Sequence, residues 1–100
     1  MEERRPPADC ASMAELRVEI DRLDRALVAL LADRAGYIDR AAELKPAEGL
    51  PARIDARVED VTAKVRAAAE ARALDPDLIE DLWRRLMEWS IAREERVLGR

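Results

Sequence analysis

Between Met13 and Lys45 the apolar residues Leu16, Ile20, Leu23, Leu27, Leu30, Leu31 and Ile38 recur mostly at three- and four-residue steps among charged positions. That period puts them along one face of a helix. The run contains no proline and one glycine, Gly36. Ser12 followed three residues later by Glu15 is a capping-box pattern, in which each side chain satisfies a free amide at a helix start. Pro46 is expected to stop the helix, because the residue before a proline disfavours the α region. The first predicted helix therefore covers residues 13–45.

Residues 46–52 read as a loop marked by Gly49 and Pro51. A second helix is predicted over residues 53–73, where Ile54, Val58, Val61, Val65 and Ala68 form a helical stripe. Asp75 followed by Pro76 fits an N-cap and a proline in the first helical position, where its missing N–H costs nothing. A third helix is predicted from there to about Val97. Residues 1–11, with Pro6 and Pro7 among charges, read as a disordered leader, and residues 12–100 as one domain.

Polar residues continue one of these apolar faces. On the third helix Ile79, Trp83, Leu86 and Met87 run directly into Ser90 and Glu94 at the next positions of the same stripe. Groups so placed must find polar partners if buried. The alternative is that the stripe simply ends and Glu94 is solvated. Arg57 stands at the margin of the second helix's apolar face, where an arginine ordinarily lays its stem over the core and keeps its head in water. Arg84, Arg85, Arg93 and Arg96 read as a solvated face.

Composition supports an all-α chain, since aromatic residues make up 3%, phenylalanine is absent, and charged residues reach 40%. A helix of about 33 residues is roughly 50 Å long, whereas a compact 100-residue domain has a radius of gyration of about 13 Å. One chain cannot cover that length, so a homo-oligomer sharing its core is expected. The net charge of −4 argues against nucleic acid or an anionic membrane as partner. No run is long and apolar enough to span a bilayer, and Met1–Cys10 lacks the apolar core of a signal peptide. Cys10 is the single cysteine, which fits a reducing compartment and leads us to expect a cytoplasmic protein.

Absent chemistry narrows the function. Without histidine, and with its one cysteine in the leader, the chain has no triad built on those residues and no usual zinc site. No metal or cofactor is expected. What remains is cations, a hydroxyl and a carboxyl group near an apolar interior, a set suited to holding a small polyanion. Arg34 and Lys45 fall about three turns apart on nearly the same helix face and could hold two ends of one molecule. Arg17 lies roughly 25 Å further back, so it reaches that molecule only from a second chain.

At these residues the sequence resembles the all-helical class of chorismate mutases, which rearrange chorismate to prephenate for phenylalanine and tyrosine synthesis. The resemblance runs through Met13-Ala-Glu-Leu-Arg17, the segment from Leu27 to Arg34, Lys45, Gly49-Leu-Pro51, Arg57, Leu74-Asp-Pro76 and Trp89-Ser-Ile-Ala-Arg-Glu94. It implies a three-helix chain in an intertwined homodimer. It also implies that Arg34 and the second chain's Arg17 clamp the substrate's carboxylates, with Arg57 and Ser90 assisting, while Lys45 and Glu94 donate to the ether oxygen as catalytic groups.

The pattern departs from the family at three positions. Many members have glutamine where Glu94 stands, so Glu94 is expected to act in its protonated form. Ile54 and Val58 replace acidic residues that often meet the ring hydroxyl, and Asp55 is the nearby substitute. Isochorismate-pyruvate lyase, a related enzyme of the same fold, also lacks the glutamate at the position of Val58 and is the alternative activity. An inactive helical dimer that regulates a partner is the alternative from a different class.

Overall fold

The computed structural model describes residues 4–99; the first three leader residues and Arg100 lie outside them. The described residues form three α-helices, α1 (Met13–Glu48), α2 (Asp55–Ala71) and α3 (Pro76–Leu98), preceded by a short 3-10 turn at Pro7–Asp9. No strand occurs among them, which agrees with the all-α expectation. The chain divides after Arg34 into two compact units, each described in turn.

In the first unit the Ser12 hydroxyl accepts from the Glu15 amide at 3.2 Å. The Glu15 carboxylate reaches back to the Ala11 amide at 2.7 Å, one residue earlier than the usual capping box would have it. Leader residue Arg5 pairs with Glu15 at 3.0 Å, and its amide donates to Glu19 at 3.3 Å. The apolar stripe stays open to solvent here: Leu27, Leu30 and Leu31 are 56%, 63% and 45% exposed. Leu23, Ala26, Leu27, Ala29 and Leu30 line a shallow apolar groove with Arg4 and Arg22 at its edge.

In the second unit α1 continues through Pro46, which sits inside the helix and does not stop it. Proline removes one N–H, and in the last turn that loss is small beside the closure that follows. Gly49, at φ +69°, donates its amide to the Pro46 carbonyl at 3.2 Å, and the Leu50 amide donates to the Lys45 carbonyl at 3.0 Å. This pair of bonds is a Schellman closure, and glycine at the left-handed position permits it. Because α1 ends later than expected and α2 begins at Asp55 and not near residue 53, the connecting loop covers residues 49–54 and is displaced along the chain at both ends.

α2 packs on α3. The turn between them closes in the same way, with the Ala73 amide donating to the Glu70 carbonyl at 3.1 Å and the Leu74 amide to the Ala69 carbonyl at 2.9 Å. Here, however, alanine occupies the left-handed position, at φ 56°. α3 starts as expected: the Asp75 carboxylate accepts from the Asp77 amide at 2.9 Å, and Pro76 fills the first turn. Arg66 on α2 bridges Asp77 and Glu80 at 2.9 Å each. The buried apolar residues are Ala42, Ala52, Ala69, Met87 and Ile91. Alanine predominates among them, so a single copy of the chain has little apolar core.

Ala73 gives a direct stability test. A Cβ in the left-handed region is disfavoured, and glycine removes that strain at some entropic cost in the unfolded chain. Ala73→Gly is expected to raise the unfolding free energy by about 0.5 kcal/mol, measured by urea denaturation at fixed protein concentration.

Candidate active site

α3 carries its apolar face past Met87 to Ile91, and the polar residues that share that face go inside with it. Ser90 is 3% exposed and Glu94 is 5% exposed. This decides between the two readings of Glu94, which is buried and not solvated. The Ser90 hydroxyl donates to the Leu86 carbonyl at 2.9 Å, the bond to the preceding turn that a buried helix serine commonly makes.

Glu94 meets Lys45, which projects from the last turns of α1. The distance from Lys45 Nζ to Glu94 Oε1 is 2.6 Å, with side-chain exposures of 15% and 6%. The same Oε1 has no directed hydrogen bond, so the contact is ionic and its angle is poor for hydrogen bonding. Lys45 Nζ also donates to the Ala52 carbonyl at 2.8 Å. An ammonium has three donors; the Ala52 bond takes one, so even with one turned toward Glu94 a donor remains for another acceptor. Lys45 thus ties α1 to both the connecting loop and α3.

Two guanidinium–carboxylate forks lie close to this pair in the chain. Arg53, next to Ala52, grips Glu88 with bonds of 2.9 and 2.6 Å. Arg93, next to Glu94, grips Asp39 of α1 with bonds of 2.6 and 3.0 Å and lies 5.2 Å from the centre of the Trp89 ring. Hydrogen bonding to Arg93 holds the Asp39 carboxyl below its ordinary range, and Arg53 does the same to Glu88. Arg93 therefore does not belong to a free solvated face, as its spacing suggested. Its partner is 54 residues away in sequence, beyond the reach of any local pattern.

The remaining site candidates are placed differently. Arg57 is exposed on α2 and paired with Asp60 at 2.7 Å, its stem not laid over the core. Lys64 also grips Asp60, and together the two cations lower that carboxyl. Asp55 opens α2 and is exposed. In the first unit Arg34 is half-buried, and Arg17 is exposed with no ion pair among the described residues. The structure brings Lys45 and Glu94 into contact, with Ser90 one turn before Glu94. Arg57 is turned to its own helix neighbour.

Among the described residues no group of three or more histidine, cysteine, aspartate or glutamate side chains is placed to hold a metal ion. No described helix is long and apolar enough to cross a membrane. A partly buried ammonium beside a buried carboxyl group, with a spare donor and a nearby hydroxyl, can hold an anionic or ether oxygen and stabilise charge developing on it. It cannot act as a nucleophile of the Ser-His or Cys-His type.

Residues 16–95 match the family described as chorismate mutase type II. The chain belongs to this family. It is 40% identical over 84 residues to the T-protein of Enterobacter agglomerans and 36% identical over 85 residues to that of Haemophilus influenzae. These alignments take in 84% and 85% of the chain but 22% of each T-protein, so the chain spans about a fifth of their length. It is also 33% identical over 89 residues to the isochorismate pyruvate lyase of Pseudomonas aeruginosa, covering 88% of the chain and 86% of that protein. Membership in the chorismate mutase type II family is consistent with the three-helix architecture and with a long first helix.

The buried pair generates a stability prediction of its own. Lys45→Met leaves the Glu94 carboxylate buried without its counter-charge and is expected to cost about 3 kcal/mol of unfolding free energy. Lys45→Met combined with Glu94→Leu is expected to recover most of that loss. Urea denaturation of both variants at neutral pH checks the difference.

Proposed function

We propose that the protein rearranges chorismate to prephenate as a homodimer. The observation that carries this reading is the contact of Lys45 with buried Glu94, with its spare lysine donor, in a chain of the chorismate mutase type II family. In the reaction the ether C–O bond breaks while a C–C bond forms, within one molecule and without proton transfer or a covalent intermediate. The enzyme has two tasks, to hold the compact diaxial conformer and to stabilise negative charge growing on the ether oxygen.

Lys45 supplies the second task through a remaining N–H, and Glu94 serves as a donor from the other side. Removing one such preorganised donor typically costs about 2.7–4 kcal/mol of barrier. Arg34 clamps a substrate carboxylate, and Ser90 assists through its hydroxyl. Arg57 joins them by leaving Asp60, an exposed pair of the kind that costs little to break. Asp55, at the start of α2, meets the ring hydroxyl where Val58 has no polar group.

Arg17 and Arg34 lie seventeen residues apart on the continuous helix, about 25 Å along its axis. Arg17 therefore enters from the second copy. The exposed apolar stripe at Leu23, Leu27 and Leu30 supports the same arrangement, since a second helix laid on it removes that surface from water. With no histidine and a single cysteine, the activity asks for neither a metal nor a cofactor, and a cytoplasmic setting belongs to this reading.

The match to the isochorismate pyruvate lyase over 86% of that protein's length favours a second reading, cleavage of isochorismate to salicylate and pyruvate by similarly placed cations. Purified protein is incubated with each substrate separately. Prephenate from chorismate selects the mutase, salicylate from isochorismate selects the lyase, and no turnover of either rejects both in favour of a binding module.

Two further outcomes are expected. A carboxylate repels the developing oxyanion whereas a neutral amide donates to it, so Glu94→Gln is expected to keep kcat at or above the wild type, while Glu94→Ala, which has no donor, falls about a hundredfold below Glu94→Gln. Equal kcat in the two variants removes Glu94 from the mechanism. Light scattering at micromolar concentration gives twice the chain mass, and mixing inactive Arg17→Ala with inactive Arg34→Ala under exchange restores activity, because one site in the heterodimer has both arginines. Absence of recovery after confirmed exchange rejects donation between chains.

A further inference from the structure

Lys45 and Glu94 come from different helices, and their separation decides whether both can face one oxygen atom. Besides their own contact, Asp39 and Arg93 also join α1 to α3. Arg93 immediately precedes Glu94, so their Cα atoms are about 3.8 Å apart. Asp39 stands six residues before Lys45 on the same helix, about 9 Å along its axis. A fork of two bonds, Nε to one carboxylate oxygen at 2.6 Å and Nη2 to the other at 3.0 Å, fixes both distance and plane. The Trp89 ring, 5.2 Å from the guanidinium carbon, supports the fork from within α3.

The pair is half-exposed, at 36% and 46% for the two side chains. An ion pair so open to water adds little to stability. Its two bonds, by contrast, give the contact a defined distance and plane. Neither residue touches Lys45 or Glu94 through a hydrogen bond of its own, so an effect on the reaction must pass through the helices that carry them.

We propose that the Asp39–Arg93 fork is the positioning element that sets the approach of α3 to α1 and hence the separation of Lys45 and Glu94. The proposal rests on the reading of those two residues as the groups that stabilise the ether oxygen. It assigns Asp39 and Arg93 no contact with substrate. Loss of the fork lets the end of α3 shift relative to α1, and misplacement of catalytic groups by a fraction of an ångström lowers kcat more than substrate binding.

Asp39→Ala and Arg93→Ala are each expected to lower kcat about tenfold, with KM within about twofold of the wild type and the melting temperature barely moved. The double variant is expected to fall no further than either single one, and Asp39→Glu, which keeps the carboxylate, to recover most of the rate. Asp77→Asn, which breaks an ion pair between α2 and the first turn of α3, serves as a control and should leave kcat unchanged. An unaltered kcat in folded Asp39→Ala, or a double variant whose loss is the product of the two single losses, overturns the proposal.

The same measurements apply to isochorismate if that is the substrate consumed. A wild type that turns over neither substrate refutes the functional reading, and a crystal structure of Asp39→Ala then decides the positioning role separately. A Lys45 Nζ to Glu94 Oε1 distance that opens beyond 2.6 Å supports it, and an unchanged distance overturns it.

Discussion

A lysine and a glutamate enclosed together constrain everything around them. Withdrawing both charges from water is expensive, and their attraction offsets the loss only when geometry is good and remaining polar positions are served. The chain meets that demand from three directions. The Ala52 carbonyl takes one lysine donor, Met87 and Ile91 exclude water from α3, and arginine forks at residues 53 and 93 grip α3 and α1 beside the contact. One oxygen of Glu94 nevertheless lacks a directed hydrogen bond. A buried acceptor in that condition is unfavourable for folding.

The helices were legible because the apolar period was. Leu27, Leu31 and Ile38 mark one face of α1, and Arg34 and Lys45 fall on the same three- and four-residue rhythm, which is how cations come to interrupt an otherwise apolar stripe. On α3 the rhythm passes from Met87 to Ser90 and Glu94 without a break, and burial follows it. The caps at Ser12 and Asp75 were legible for a related reason: each depends on a side chain and an amide within three residues of one another.

What depended on partners outside the apolar period was not legible. Pro46 was expected to end α1, but whether a proline is tolerated in a final turn depends on how the chain closes after it. The closure at Gly49 and Leu50 is a property of the next four residues taken together. Arg93 looked like one more surface cation until the fold brought Asp39 to it. Arg57 could be placed on its helix but its direction could not, since Asp60 and solvent offer it an alternative to any site.

Stability and chemistry draw on different parts of this chain. Alanines, one methionine and one isoleucine make up the buried apolar set, while the large apolar side chains of α1 remain on the outside of a single copy. Hydrophobic stabilisation scales with area removed from water, so most of what is available lies on that uncovered face. The exposed ion pairs contribute little to stability. The Asp39–Arg93 fork, under the positioning proposal, instead specifies where two helices meet. Under the proposed reading, association would then secure the fold while the forks secure the register, and a substitution can damage one with little effect on the other.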